Sequence, residues 1–208
     1  MGERGDSRPK STGETILALP TTVEPLRHVR STILIASIAN IRNSGRFDDY
    51  VRRVPAEHHG ALFESVAAMW LPFRAAVAHY GACEALGVPI EEQVSMGRAS
   101  VERVGATIAG TALRLAKQAG VTPLHLFPHL QRFWSRGYDG GALAAYKVGP
   151  KEARLELVQF PLCEIPFYRR ALTGWMMGLT ELFCEKLYMK ELPPPAGPQT
   201  MALRAQWV

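Results

Sequence analysis

Apolar residues recur at helical spacing along most of the chain. This pattern predicts helices over residues 47–54, 55–69, 72–86, 89–118, 123–135 and 165–188. In the third of these helices, Phe73, Tyr80 and Cys83 fall on one face. Residues 31–41 are apolar and rich in β-branched side chains, so their periodicity leaves both helix and strand open.

After Gly141 the pattern changes to the alternation that is typical of β-strands. Predicted strands cover residues 15–19, 142–148, 153–160 and 201–208. The second and third strands flank Gly149 and Pro150, as in a hairpin connection. The last strand alternates apolar and polar side chains as an amphipathic edge strand does. Helices segregated from a small antiparallel sheet indicate an α+β fold.

Composition changes this picture in three respects. The 208 residues, 47% of them hydrophobic, predict a single α+β domain over residues 15–208 behind a disordered tail at 1–14. Three scattered cysteines are typical of a reduced, cytoplasmic protein, and no apolar run is long enough for a membrane span. The net charge of +5 is dispersed and forms no basic stripe, which disfavours nucleic acid as a partner.

Residues with catalytic or metal-binding chemistry form few patterns. His125 and His129 have helical i, i+4 spacing but no neighbouring acidic or thiol ligand, so no metal site is predicted. His79 and Cys83 have the same spacing, and we expect a hydrogen-bonded core histidine beside an inert thiol. Phosphate loops, dinucleotide fingerprints and nucleophile elbows are absent from the sequence, so the protein is predicted not to be an enzyme. The enzymatic alternative would use Cys83 or Cys184 as a nucleophile.

Small residues on two predicted helices indicate close helix packing. Gly97, Val101 and Gly105 share one stripe of the 89–118 helix. Because a helical glycine costs about 1 kcal/mol against alanine, another backbone is expected to approach that stripe closely. Gly174 and Gly178 have the spacing of a helix-dimer motif, which in a soluble helix we interpret as tight packing on the sheet.

A series of short motifs occurs in a characteristic order. The motifs are Leu86-Gly87, Met96-Gly97-Arg98, Thr122-Pro123, Phe133-Trp134-Ser135-Arg136, Gly141, Gly174-Trp175-x-x-Gly178 and a final strand ending in Trp207. In this order, over residues 30–208, the chain resembles the superfamily of 4-vinyl-reductase-like domains, haem-NO-binding-associated domains and TRAPP vesicle-tethering subunits. Within it, the chain is most similar to a duplicated, uncharacterised myxobacterial family.

The resemblance implies a sandwich of helices on a twisted antiparallel sheet that acts as a homodimeric binding or adaptor module. Relatives hold small hydrophobic ligands, lipid chains or partner proteins between sheet and helices. On this basis the predicted ligand-binding residues are aromatic side chains and one thiol: Trp70, Phe73, Tyr80, Cys83, Phe133, Trp134, Phe167, Trp175 and Phe183. The late cysteines that help bind zinc in some relatives have no counterpart in the last strand here.

Two functional hypotheses follow. The first is a non-enzymatic cytoplasmic adaptor or ligand-sensing homodimer without a cofactor, with a protein partner and a small hydrophobic ligand. Its interface would use either the Gly97, Val101 and Gly105 face or the last strand with Trp207 and Val208. The second is a sensor that binds haem or another hydrophobic cofactor, with His79 or His129 as the axial ligand.

Overall fold

The computed structural model describes residues 13–105, 120–193, 197 and 199–208. Its α-helices are α1 (Ser31–Asn43), α2 (Phe47–Arg53), α3 (His59–Phe63), α4 (Phe73–Ala85), α5 (Ile90–Gly105), α6 (Pro123–Leu126), α7 (Leu130–Gly137) and α8 (Pro166–Glu181). Its strands are β1 (Glu14–Leu17), β2 (His28–Arg30), β3 (Trp70–Pro72), β4 (Tyr138–Asp139), β5 (Ala142–Gly149), β6 (Glu152–Val158), β7 (Leu187–Leu192) and β8 (Met201–Trp207). The ambiguous segment at 31–41 is therefore a helix, and the predicted α+β class is confirmed.

The larger sheet is antiparallel throughout and has the strand order β1-β5-β6-β8-β7. The predicted hairpin is β5–β6. The prediction that the last strand lies at an edge is wrong, because β8 pairs with β6 on one side and with β7 on the other. Trp207 is buried in the core, and its ring meets Phe127 edge-on at 6.0 Å between centroids. Val208, which follows the strand, is 60% exposed.

A smaller sheet of order β3-β2-β4, which the sequence pattern does not predict, joins the N-terminal helices to the rest of the fold. Strand β2 runs directly into α1, and β4 follows α7 without a gap. Asp139 on β4 is within 2.8 Å of His28 Nδ1 and 3.1 Å of Arg27 Nη2. The hydrogen bond to His28, and then that to Arg27, hold the pKa of Asp139 below its usual value.

Helices α5 and α8 cross at backbone contact. A Cβ atom on Gly97 would lie 1.9 Å from the carbonyl oxygen of Ala171, and one on Gly174 would lie 1.9 Å from that of Val94. A Cβ on Gly178 would lie 3.2 Å from the Cβ of Val101. The glycine stripe predicted on α5 therefore packs on α8 within the same chain.

This crossing corrects two expectations. Gly174 and Gly178 face α5, not the sheet. Gly97 and Val101 are enclosed by α8, so this face is not free to form the predicted dimer interface; Gly105 is the last residue of the same helix.

Two other predicted elements differ from the structure. The helix predicted over residues 55–69 is a 3₁₀ turn, Ala56–His58, followed only by the short α3. The helix predicted to reach residue 188 stops at Glu181, and the chain re-enters the large sheet as β7. The assignment of a tail at 1–14 and one domain at 15–208 stays a prediction, because most of that tail lies outside the described residues.

Candidate functional site

A cavity of about 360 Å³ lies among α1, α5, α7 and α8. Its volume is near the lower end of the roughly 300–1,000 Å³ found for small-molecule sites. The walls are mainly apolar and aromatic. Gly97 and Ala171 also line it, so one wall is the close crossing of α5 and α8.

Aromatic rings form the wall at the α7 end. Trp134 stacks on Tyr138 with centroids 4.2 Å apart and planes 26° apart, and Phe160 meets both rings edge-on from the core side. Tyr80 meets Tyr168 at 4.9 Å in an edge arrangement. Such offset and edge contacts are the favoured geometries of aromatic pairs, so the wall is pre-organised.

The tyrosines of this wall stay neutral at physiological pH. Tyr168 donates a hydrogen bond to the Tyr138 hydroxyl at 3.2 Å. Burial raises the pKa of Tyr138 to about 12 and raises those of Tyr80 and Tyr168 well above the usual value. The phenol groups therefore act as hydrogen-bonding groups and not as anions.

Besides the tyrosines, four uncharged polar side chains and one arginine line the cavity: Thr32, Ser37, Asn40, Ser100 and Arg136. The indole Nε1–H of Trp134 is buried and has no hydrogen-bond partner among the described residues. Arg136 lines the cavity from an exposed position beside Phe133, which is 44% exposed, so both lie at the mouth. On the opposite wall, Asn40 donates from Nδ2 to the Met96 carbonyl oxygen at 3.0 Å.

Behind the α1 wall lies a buried chain of three polar side chains. His79 is fully buried, with Nδ1 2.7 Å from the Tyr50 hydroxyl and Nε2 2.8 Å from the Ser37 hydroxyl. Burial lowers the pKa of His79 to about 3, so the ring is neutral. Of the three, only Ser37 lines the cavity.

The thiols are not activated. Cys83 Sγ lies 3.8 Å from His79 Nε2, but the neutral ring cannot stabilise a thiolate, and burial raises the pKa of Cys83. Burial also raises the pKa of Cys163 to about 12. Cys184 is buried, and its Sγ lies 3.5 Å from the Thr180 carbonyl oxygen.

The structure brings together about half of the ligand-binding residues predicted from sequence. The predicted residues that line the cavity are Tyr80, Phe133, Trp134, Phe167 and Trp175. The others lie elsewhere. Trp70 lies under the Arg30 guanidinium at 4.0 Å, Cys83 is enclosed in the core, and Phe73 and Phe183 pack on the core half-buried.

Sequence reasoning missed the α1 wall and the two tyrosines. Ser37 and Asn40 are spaced by three residues in an otherwise apolar segment. Once the segment is known to be helical, this spacing places both polar side chains on one face and indicates a binding site there. Tyr138 and Tyr168 reach the cavity through tertiary packing and carry no local signal.

Neither proposed axial histidine presents a free nitrogen to the cavity. Both ring nitrogens of His79 are hydrogen-bonded, and His129 is exposed and outside the lining. His125 Nδ1 accepts a hydrogen bond from the backbone N–H of Thr122 at 3.1 Å. Within the described ranges, no three His, Cys, Asp or Glu side chains are grouped so as to hold a metal ion.

The fold is similar to that of H-NOX domains. An H-NOX protein from K. algicida in the unliganded Fe(II) state matches with a TM-score of 0.58 and 9% identity, over 86% of this chain and 96% of that one. An oxygen-binding H-NOX domain related to soluble guanylate cyclases, in its oxygen complex, matches at 0.56 and 14%, over 85% and 94%. A variant of the T. tengcongensis H-NOX matches at 0.55 and 13%, over 85% and 96%. No family model and no curated protein matches the chain.

At these identities the similarity establishes the fold alone. It agrees with the α+β fold that the resemblance implies, while membership of the superfamily and of the myxobacterial family stays a prediction. The expectation of a protein without a cofactor is contradicted, because the structural neighbours include an H-NOX protein studied for haem distortion and a protein in which porphyrin distortion modulates the haem redox potential. In the described part of the chain, every helix is too short or too polar to cross a membrane.

Proposed function

We propose that this domain is a sensor module that binds a planar, largely apolar cofactor of the porphyrin class in the cavity between α1, α5, α7 and α8. The observation that carries the proposal is a cavity of about 360 Å³ lined by aromatic side chains, with the Arg136 side chain at its mouth. Concave, mainly apolar cavities with a small number of polar groups are typical of small-molecule and cofactor sites. Similarity to haem-related folds supports this reading over that of an adaptor without a cofactor.

The lining suits the ring and the polar edge of such a molecule. The indole of Trp134 and the phenol rings of Tyr138 and Tyr168 offer apolar surface to a flat ligand. Arg136 at the mouth offers a guanidinium to a carboxylate substituent. This division places the apolar part inside and the charged part towards solvent.

The lining suits an imidazole-bound iron less well. Protein ligands to haem iron are His, Cys, Met and Tyr side chains. Of these, the cavity presents the neutral phenols and Met96, and neither a histidine nor a cysteine is among the lining residues. Bound haem would supply an iron atom at which a small gaseous molecule binds, whereas the chain's own residues hold the ring and exclude water from it.

The sensor is proposed to be non-enzymatic. Among the described residues, the phenols that line the cavity are neutral, and neither the neutral His79 behind the wall nor the protonated Cys83 in the core supplies a general base or a nucleophile. Binding of a ligand would therefore be signalled by a movement of the helices that form the cavity walls, and not by a chemical reaction.

The test is a titration of the purified protein with haemin and, separately, with iron-free protoporphyrin IX, followed by absorbance and tryptophan quenching. We expect saturable binding of both, with dissociation constants within about tenfold of each other, because the ring and its carboxylates supply most of the contacts. A preference for haemin well above tenfold would show that a chain residue binds the iron. Absence of saturable binding of either molecule would refute the proposal.

A matched pair of variants on α1 locates the site. Ala36→Trp fills the cavity and should weaken binding by about tenfold or more. Ile35→Trp adds the same side chain at a position that is 38% exposed and outside the lining, and should leave binding unchanged. Equal affinities for the two variants would place the binding site elsewhere.

A further inference from the structure

We infer that Ser37 is a hydrogen-bond donor into the cavity, held in that role by His79 and Tyr50, and that it selects ligands with a carbonyl or carboxylate oxygen on the α1 side. The inference rests on the proposed ligand-binding role of the cavity and adds to it a specificity residue. Its geometry is the buried chain from Tyr50 through His79 to Ser37.

The hydroxyl of Ser37 differs from other helical hydroxyls of this protein. Helical Ser and Thr side chains commonly donate to the carbonyl four residues earlier. Ser100, Thr173 and Thr180 do so, at 3.2, 2.8 and 2.7 Å. Ser37 makes no such bond to Ile33, and its only hydrogen-bond partner among the described residues is His79 Nε2.

The direction of the hydrogen bonds between Tyr50, His79 and Ser37 follows from counting polar hydrogens. A neutral imidazole carries one N–H, so one ring nitrogen donates and the other accepts. The Tyr50 side chain is fully buried, and its hydroxyl has no other hydrogen-bond partner within the described residues. If Nδ1 carried the hydrogen, the phenol hydrogen of Tyr50 would be buried without an acceptor.

The alternative tautomer pairs both the phenol hydrogen of Tyr50 and the ring hydrogen of His79. Tyr50 donates to Nδ1, and Nε2–H donates to the Ser37 oxygen. Because a buried unpaired donor is costly, this tautomer is favoured by about tenfold or more. The Ser37 hydrogen is then left without an acceptor among the described residues, at a position that lines the cavity. An acceptor oxygen on the occupant completes the chain.

The first measurement is the tautomer of His79 in the ligand-free protein near pH 7. Long-range ¹H–¹⁵N NMR correlations separate protonated from unprotonated ring nitrogens, and the His79→Gln spectrum assigns the signal among the six histidines. We expect hydrogen on Nε2. Hydrogen on Nδ1 would overturn the inference, since Ser37 would then donate to the ring and not to the cavity.

The second measurement compares two flat probes that differ in one group, 2-acetylnaphthalene with a carbonyl and 2-isopropenylnaphthalene with an alkene of the same shape. Binding is followed by quenching of tryptophan fluorescence. We expect the carbonyl probe to bind about three- to tenfold more tightly, as one neutral hydrogen bond provides. Ser37→Ala should abolish this preference while both probes still bind.

Ser100→Ala is the matched control, because Ser100 also lines the cavity but donates its hydrogen to the Met96 carbonyl. This variant should retain the preference for the carbonyl probe. Equal binding of both probes to the wild type, or a preference unaffected by Ser37→Ala, would overturn the inference while leaving the cavity a ligand site. Failure of both probes and of the porphyrins to bind would instead reject the proposed function.

Discussion

Replacing Gly174 with alanine tests the backbone contact between α5 and α8. The added Cβ would lie 1.9 Å from the Val94 carbonyl oxygen and 2.8 Å from the carbonyl carbon, distances that real Cβ atoms do not adopt. Both atoms belong to the backbone of α5, so no side-chain rotation relieves the overlap. The helices must separate, and the well-packed surface between them opens.

The magnitude combines two opposing contributions. Alanine gains up to about 1 kcal/mol over glycine in a helix interior. Overpacking a dense core costs about 1–3 kcal/mol, and more where backbone must move. Because the overlap here is with backbone atoms, the overpacking cost should be at least about 3 kcal/mol. After the helical gain is subtracted, we expect Gly174→Ala to lower the free energy of unfolding by at least about 2 kcal/mol, or roughly 4–8 °C in Tm for a chain of this length.

The control is Gly81→Ala, which changes an exposed glycine inside α4. A Cβ there meets nothing within 4 Å, so only the helical gain applies and unfolding should require about 0.5–1 kcal/mol more. Both variants are compared with the wild type by urea unfolding with circular dichroism. If Gly174→Ala were as stable as Gly81→Ala, the close crossing derived from the structure would be wrong.

Three further predictions concern burial. Because the folded-state pKa of His79 is about 3 and its usual value is 6.5, the unfolded chain binds an additional proton below pH 6.5. The free energy of unfolding should therefore fall as the pH is lowered from about 6.5 to 3, by up to about 1.4 kcal/mol per pH unit. Urea unfolding at each pH measures this dependence, and His79→Gln should make it weaker. The same pH dependence in wild type and variant would contradict the burial of His79. Trp207→Ala should lower the free energy of unfolding by about 3–5 kcal/mol because the ring is buried, whereas Val208→Lys should change it by less than about 0.5 kcal/mol. Similar changes in Tm for the two variants would argue against an internal position of β8. Finally, all three cysteines should react with Ellman's reagent far more slowly in the native protein than in urea, since they are buried and the pKa values of Cys83 and Cys163 are raised; rapid labelling of the native protein would revive a reactive thiol.

Helical periodicity and turn residues carry much of the fold. Phe73 through Ala85 form α4 much as the pattern predicts, and Gly149 lies at the hairpin as expected. The small sheet was missed because its strands are only two or three residues long, too short for alternation to be recognised. The predicted helix overlaps β7 only at Leu187 and Tyr188. It extends too far because Leu182 and Phe183 continue the apolar spacing of α8 beyond the point where the helix ends.

The candidate site was predicted only in part for the same reason. Trp134 and Trp175 stand out by their size and helical position, and both line the cavity. Ser37 could not be selected while residues 31–41 fitted either helix or strand. The direction of its hydrogen depends on Tyr50 and His79, which lie 13 and 42 residues further along the chain and meet it only in the folded protein.

The three-stranded sheet links two walls of the cavity mechanically. Strand β2 continues into α1 and β4 continues from α7, so each of these walls has one end anchored in the same small sheet. The α5–α8 wall, in contrast, is locked by backbone contact and offers little compliance. A ligand that moves α1 and α7 apart would therefore stretch the hydrogen bonds between β2 and β4 and the contacts of Asp139 with Arg27 and His28. Faster amide exchange at Arg27, whose N–H donates to the Asp139 carbonyl oxygen, would then report the separation of β2 from β4.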